Sequence, residues 1–160
     1  MIDAYEIWYH AANSPDGRIA FSTALQAGHH VIADAFDPRE GRCACAEWMA
    51  FIQGREGSSP TRYGVRLACE DAAELMATSG DCPGLGRIVL VGASLPEDAR
   101  DALPSLRREG IEIYWEYALG ITCPVESTWL DGIVVRGYET GGVSQSSSVR
   151  TFFSAARSEY

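Results

Sequence analysis

The run Arg87-Ile88-Val89-Leu90-Val91 decides the fold class of this chain. A continuous apolar run, here preceded by Gly86, is typical of a strand buried in a parallel sheet. A helix is predicted next, because Pro96-Glu97-Asp98 supplies an early proline and an acidic first turn, and Arg107-Arg108-Glu109-Gly110 supplies a basic last turn and a glycine stop. Residues Ile111 to Tyr117 then alternate as the next strand. This order of strand, helix and strand predicts parallel pairing.

Upstream of this unit, the pattern predicts a hairpin, a helix, a strand and a second helix. The hairpin runs from Ile19 to Phe36, with its turn at Gln26-Ala27-Gly28. The later elements are a helix from about Cys43 to Arg55, a strand over Tyr63 to Ala68 and a helix over Glu70 to Thr78. We therefore predict an α/β protein with three α/β/α layers and a mixed, mostly parallel sheet, in which the hairpin forms an antiparallel edge pair.

The length of 160 residues predicts a single domain over residues 1–160. Its core is expected over about residues 13–117, followed by a C-terminal extension over residues 119–160, in which Trp129 to Arg136 is a candidate for a further strand. No apolar run predicts a membrane span, and the N-terminus is acidic, unlike that of a signal peptide. We therefore expect a cytoplasmic protein, and we leave its oligomeric state open.

The net charge and the cysteine content limit which partners and cofactors we expect for this chain. The formal net charge of −9 disfavours a nucleic-acid partner and suits either a small-molecule substrate or a basic protein. The chain has five cysteines. An odd number in a chain with no visible signal peptide argues against a disulfide framework. These cysteines are therefore either buried thiols or metal ligands.

The segment Cys45-Ala46-Glu47 opens the predicted helix and carries the strongest chemical signal in the chain. Backbone N–H groups at a helix N-terminus favour the thiolate form of a cysteine, and a thiolate is a good zinc ligand. A glutamate two residues later is within reach of water held on such a metal. The spacing therefore fits one half of a hydrolytic zinc site.

These residues resemble the cytidine deaminase family, in which a two-stranded opening leads to a helix that carries Cys-Ala-Glu or His-Ala-Glu. In that family a strand and a second helix follow, and the second helix begins with Pro-Cys-x-x-Cys. Here Cys69 stands at the place of the first cysteine, and the position three residues later is Ala72. The resemblance covers about residues 13–117. It implies a deaminase-like fold and zinc-dependent hydrolytic deamination of a nucleoside, nucleobase or related amidine.

The resemblance also implies roles for individual residues. Cys45 and Cys69 would be zinc ligands, and Glu47 would be the catalytic group that moves a proton from metal-bound water to the leaving ammonia. A catalytic zinc takes three protein ligands and keeps one position open for water. The third ligand is left open among Cys43, Asp71 and Cys82. Zinc is therefore the implied cofactor.

A second resemblance is to ribonuclease H-like folds, which begin with three antiparallel strands and continue with a helix that carries a glutamate. If residues 5–10 form the first strand, Glu47 falls on the helix and Asp71 at the end of the next strand. Asp131 then stands near the late acidic position. This resemblance implies carboxylates that hold two Mg²⁺ ions. The family has an aspartate on its first strand, whereas this chain has His10, a softer ligand, so the implied protein is a degenerate nuclease.

A third hypothesis needs no catalysis. For each of the two resemblances, this chain lacks a metal ligand that the family uses. A fold can be retained after its chemistry is lost. A compact, acidic chain of this size fits the physical description of an immunity protein or an inhibitor of a basic, nucleic-acid-handling protein. Complementary charge speeds such association. A non-catalytic acidic binding protein is therefore the alternative to the deaminase.

Overall fold

The computed structural model describes residues 8–37, 42–43, 45–54, 62–73, 75, 82–117 and 127–135. The strands are β1 (Trp8–Ala11), β2 (His30–Asp34), β3 (Phe36–Asp37), β4 (Arg42–Cys43), β5 (Tyr63–Ala68), β6 (Leu85–Val91), β7 (Glu112–Tyr117) and β8 (Gly132–Val135). The helices are α1 (Pro15–Gln26), α2 (Cys45–Gln53) and α3 (Glu97–Arg108), with short 3₁₀ turns at Cys69–Asp71 and Ser127–Trp129. No helix among the described residues is long and apolar enough to cross a membrane.

Six strands form one parallel sheet in the order β1-β2-β5-β6-β7-β8, and β3 pairs with β4 in a separate antiparallel sheet. Each strand of the large sheet lies beside the next one along the chain, so the sheet is wound in one direction only. The predicted central strand is β6, where Leu90 lies between Leu67 and Trp115. The α/β class is confirmed, and the curled sheet with its three helices is consistent with a three-layer α/β/α arrangement.

The predicted opening hairpin is wrong. Residues 19–25, expected as a strand, belong to α1, and β2 pairs with β1 in parallel. The helix begins at Ser14, whose hydroxyl accepts a hydrogen bond from the Gly17 N–H at 3.0 Å, and it has a proline at its start. Phe21 and Leu25, four residues apart, face the core. This helical spacing outweighs the short alternation that favoured a strand, and the antiparallel pair forms instead between β3 and β4.

The other predicted elements are present where the structure describes them. The predicted helix from Cys43 is α2, the strand over residues 63–68 is β5, and the candidate strand after Trp129 is β8. Of the helix predicted over residues 70–78, residues 72, 73 and 75 are described and helical. Residues 136–160, the greater part of the predicted C-terminal extension, lie outside the described residues.

One apolar cluster joins the helices to a single face of the sheet. Phe21 of α1 contacts Trp48 of α2 and Tyr63 of β5, with ring centroids 5.2 and 5.9 Å apart. Leu103 of α3 and Trp115 of β7 belong to the same buried cluster. The three described helices therefore share the apolar cluster on this face, and a helix on the opposite face, which a third layer needs, is not among the described residues.

Candidate functional site

The face of the sheet opposite the apolar cluster carries charged side chains. Side chains alternate along a strand, so the neighbours of core residues Ala33, Val65 and Trp115 point the other way. At these alternate positions stand four polar residues near the carboxyl ends of their strands: His10 on β1, Asp34 on β2, Arg66 on β5 and Glu116 on β7. We call these four residues the charged cluster.

Arg66 is the centre of the charged cluster. It is 1% exposed, and it donates two hydrogen bonds to Glu116, from Nε to Oε2 at 2.7 Å and from Nη2 to Oε1 at 2.8 Å. Its Nη1 donates to Asp34 Oδ1 at 2.8 Å. Burial by itself lowers the pKa of Arg66, but hydrogen bonds and charge attraction from Glu116 and Asp34 outweigh burial and raise that pKa above its ordinary value. Arg66 is therefore a permanent cation.

Asp34 links Arg66 to His10. While its Oδ1 accepts hydrogen bonds from Arg66 and from the Phe36 N–H at 3.2 Å, its Oδ2 lies 3.5 Å from His10 Nδ1. His10 is partly exposed, whereas Arg66 and Glu116 are buried. The charged cluster therefore runs from a buried ion pair to a solvent-accessible imidazole.

Side chains of the charged face contact one another across several strands. Arg66 and Glu116 are two strand spacings apart, about 10 Å, and their long side chains bridge that distance with hydrogen bonds. Nearer the amino ends, the Arg87 guanidinium of β6 lies 4.1 Å from the ring centre of Trp8 on β1, three strand spacings away, and 4.4 Å from that of Tyr114 on β7. Aromatic rings and Arg87 therefore fill the amino-terminal half of the charged face.

This arrangement matches the chemistry of a small-molecule site. In parallel α/β sheets, ligands bind at the carboxyl ends of the strands, and a sheet wound in one direction, as in (β/α) barrels, gathers those ends around one concave region. A carboxylate beside the Nδ1 of an imidazole favours one orientation of the ring, and imidazole is the side chain that most readily exchanges a proton near neutral pH. Asp34 is held in turn by Arg66, so the His10 ring is placed by a rigid support.

The predicted catalytic residue Glu47 lies away from the charged cluster. It is on the first turn of α2 with 68% of its side chain exposed, and its Oε2 accepts a hydrogen bond from Arg18 Nη2 at 2.8 Å. Both side chains line a crevice of about 410 Å³ with Asn13, Ser14 and Pro15. Cys45, a predicted zinc ligand, is the first residue of α2, and its side chain lies outside the described part of the structure.

The other predicted ligands are distributed over both ends of the sheet. Cys69 is buried directly after β5, and its thiol donates a hydrogen bond to the Gly92 carbonyl with an Sγ–O distance of 3.6 Å. Asp71 ends the same 3₁₀ turn. Cys82 is buried before β6, at the amino end, so the length of a strand, about 20 Å, separates it from Cys69. Cys43 is in β4, and its side chain is not described.

No group of three or more metal-binding side chains occurs among the described residues. The residues that the ribonuclease H-like resemblance implies also lie apart from one another. His10 lies beside Asp34 rather than Glu47, and Asp131 accepts hydrogen bonds from Arg107 Nη2 and the Ile113 N–H, each at 2.8 Å. In this protein the first two strands, β1 and β2, are parallel, whereas ribonuclease H-like folds open with antiparallel strands.

Sequence reasoning missed three of the four residues in the charged cluster. A signal was present, because Asp34, Arg66 and Glu116 each interrupt an apolar strand near its carboxyl end. A charged side chain at such a position is buried on the sheet and needs a partner. Only the topology shows that the three are partners, since Arg66 is 32 residues from Asp34 and 50 residues from Glu116 along the chain.

Comparison of the chain with protein-family models found no match, and the same holds for curated proteins and for solved structures.

Proposed function

We propose that this protein binds a small polar molecule at the carboxyl ends of its parallel strands and moves a proton there, with His10 as the acid–base group. The observation that carries this proposal is the chain of contacts from His10 through Asp34 and Arg66 to Glu116. Histidine changes its charge near neutral pH, so it is the side chain best suited to proton transfer.

Each member of the charged cluster has a separate role in this proposal. Asp34 orients the His10 imidazole and stabilises its protonated form. Arg66 holds the Asp34 carboxylate in place, and Glu116 balances the Arg66 charge in the buried part of the cluster. Two carboxylates outnumber the single guanidinium, so the cluster is anionic while His10 is neutral. The expected ligand is therefore uncharged or cationic, because an anionic molecule would be repelled.

The test is a binding screen by ligand-observed NMR with a set of uncharged, cationic and anionic small molecules. We expect hits among the uncharged and cationic compounds, and we expect His10→Gln and Asp34→Asn to weaken them. His29→Gln is the matched control, since His29 is an exposed histidine whose ring contacts that of Tyr9 outside the charged cluster. Hits confined to anions, or hits unchanged in both cluster variants, would contradict the proposal.

A turnover assay on the hits separates catalysis from binding. If His10 transfers a proton, His10→Gln lowers the rate by about 10²- to 10⁴-fold while the fold is retained. Binding without turnover would reduce the proposal to a binding protein. The zinc-dependent deaminase and the non-catalytic acidic protein that binds a basic partner stay predictions from sequence. This proposal shares a small-molecule substrate with the deaminase.

A further inference from the structure

A crevice between the first turns of α1 and α2 carries one positive and one negative side chain. Its volume of about 410 Å³ is within the range of about 300–1,000 Å³ that is typical of small-molecule sites. Arg18 and Glu47 line it together with Asn13, Ser14 and Pro15. These residues are distinct from the four of the charged cluster, so the crevice is a separate candidate for a binding site.

The Arg18 guanidinium is held in this crevice by neighbours other than Glu47. Its Cζ lies 5.8 Å from the ring centres of both Trp48 and Phe51, and Trp48 is fully buried in the core. Its Nη2 also donates a hydrogen bond to Asn13 Oδ1 at 3.3 Å. Arg18 therefore keeps its place when Glu47 moves away, and a ligand does not have to order it.

The edge of the guanidinium that carries Nε and Nη2 is only half used. Nη2 donates to Glu47 Oε2 at 2.8 Å, whereas Nε is buried and has no hydrogen-bond partner among the described residues. The same edge of Arg66 shows the complete pairing, because both nitrogens donate to the two oxygens of Glu116. A buried N–H group without a partner is costly, and a carboxylate that accepts from both nitrogens removes that cost. The Arg18 edge therefore suits a ligand carboxylate better than it suits Glu47 in its present position.

Glu47 gives up its place on Arg18 at little cost. Its side chain is 68% exposed, and ion pairs with such solvent access contribute little to stability. Its carboxylate stays in the lining of the crevice and attracts a positive group there. A purely anionic ligand would meet both this carboxylate and the net charge of −9 of the chain. The two charges of the crevice therefore favour a molecule that carries a carboxylate and an ammonium group close together.

We propose that this crevice binds a free α-amino acid as its zwitterion. The ligand carboxylate accepts hydrogen bonds from Nε and Nη2 of Arg18, and Glu47 moves from Arg18 to the ligand ammonium group. Each charge of the crevice then lies next to an opposite charge, and the ligand adds no net charge to an acidic chain. The site lies outside the charged cluster, so this inference does not depend on the proton transfer assigned to His10.

The experiment titrates the isotope-labelled full chain with a panel of free L-amino acids and follows the backbone amide and arginine Nε–H signals by NMR. We expect at least one amino acid to bind saturably and to shift the Arg18 Nε–H signal. Its N-acetyl derivative lacks the ammonium charge, and its carboxamide derivative lacks the carboxylate. Each derivative is therefore expected to bind at least about tenfold more weakly.

Two variants test the two ends of the site. Arg18→Lys keeps the positive charge but loses the Nε–Nη2 edge, and Glu47→Gln keeps the size of the side chain but loses its charge. Each is expected to weaken binding at least about tenfold while circular dichroism shows a retained fold. Arg107→Gln is the matched control that leaves the affinity unchanged. Arg107 pairs with Asp131 outside the crevice, and its side chain is 37% exposed, compared with 31% for Arg18.

The comparison of ligand derivatives uses the wild-type chain, so it decides the question even if a variant fails to fold. Absence of saturable binding for every amino acid in the panel would overturn the proposal. Equal binding of the N-acetyl derivative would also overturn it, because the crevice would then be an anion site. Unchanged affinity in folded Arg18→Lys and Glu47→Gln, or signal shifts confined to the charged cluster, would place the amino acid elsewhere and overturn it as well.

Discussion

Arg66 and Glu116 form a two-pronged ion pair that crosses the charged face of the sheet over β6. The two donor–acceptor distances are 2.7 and 2.8 Å, and the residues are 1% and 2% exposed. Val89 of β6 lies between their strands and is buried. Burying two charges is costly, and the direct attraction repays that cost only with good geometry and further hydrogen bonds, which Asp34 supplies. The pair therefore links β5 to β7 across β6, and through Arg66 it also holds Asp34 in the charged cluster.

Replacing Glu116 by glutamine is expected to destabilise the protein by about 3–5 kcal/mol, because the change leaves the Arg66 charge buried without its main counter-ion. Glutamine has nearly the same volume, so the loss reports charge and hydrogen bonding rather than packing. The free energy of unfolding from urea denaturation followed by circular dichroism measures it.

Glu112→Gln is the matched control for this change. Glu112 is on the same strand, and it accepts a hydrogen bond from Arg87 Nε at 2.9 Å, but 43% of its side chain is exposed. Ion pairs with solvent access contribute little, so a loss below about 1 kcal/mol is expected. Equal losses of unfolding free energy in the two variants would show that burial adds nothing to the contribution of the Arg66–Glu116 pair.

The effect of Glu116→Gln is expected to be the same at pH 6 and pH 9. The pKa of Arg66 is raised in the folded protein, so its contribution to stability is fully present below the unfolded-state pKa. That contribution is lost only as the pH rises through the still higher folded-state pKa, far above neutrality. Urea denaturation of both proteins at the two pH values measures this. If the difference in unfolding free energy between wild type and Glu116→Gln were smaller at pH 9 than at pH 6, Arg66 would be losing its proton in that range.

Much of the fold was predictable because its signals are local. The apolar run of β6 and the charged turns at the two ends of α3 identify those elements from a few neighbouring residues. The segment over residues 19–25 misled because it is short and places small or polar residues between Ile19, Phe21 and Leu25, so its alternation and its helical spacing compete. The order Ser14-Pro15, a cap followed by a helix-starting proline, was the local signal that resolves it.

The candidate site was less predictable because its members are far apart in sequence. A motif such as Cys45-Ala46-Glu47 is visible in three consecutive residues, whereas Asp34, Arg66 and Glu116 become neighbours only through the strand order and the curl of the sheet. A single charge within a strand predicts that a partner exists. The sequence does not say which of the many opposite charges fills that place.

Gly17→Ala is expected to destabilise the protein by at least about 2 kcal/mol, although alanine ordinarily favours a helix. A Cβ at Gly17 would lie 1.9 Å from the Ala12 carbonyl oxygen, so the backbone between β1 and α1 would have to move. Gly110→Ala is the control, because its Cβ would meet nothing and only the positive φ of 79° is strained, at about 1–2 kcal/mol. Thermal unfolding compares the two, and a Gly17 variant as stable as wild type would contradict the close approach.

Elemental analysis of protein purified without chelator is expected to find far less than one zinc per chain, with no change in Cys69→Ser. The buried Cys69 thiol is directed at the Gly92 carbonyl, and Cys82 lies at the other end of the sheet. Glu47, the implied proton carrier, is paired with Arg18 in an exposed position. About one zinc per chain, lost in both Cys45→Ser and Cys69→Ser, would instead support the deaminase prediction and move the active site from the charged cluster to the start of α2.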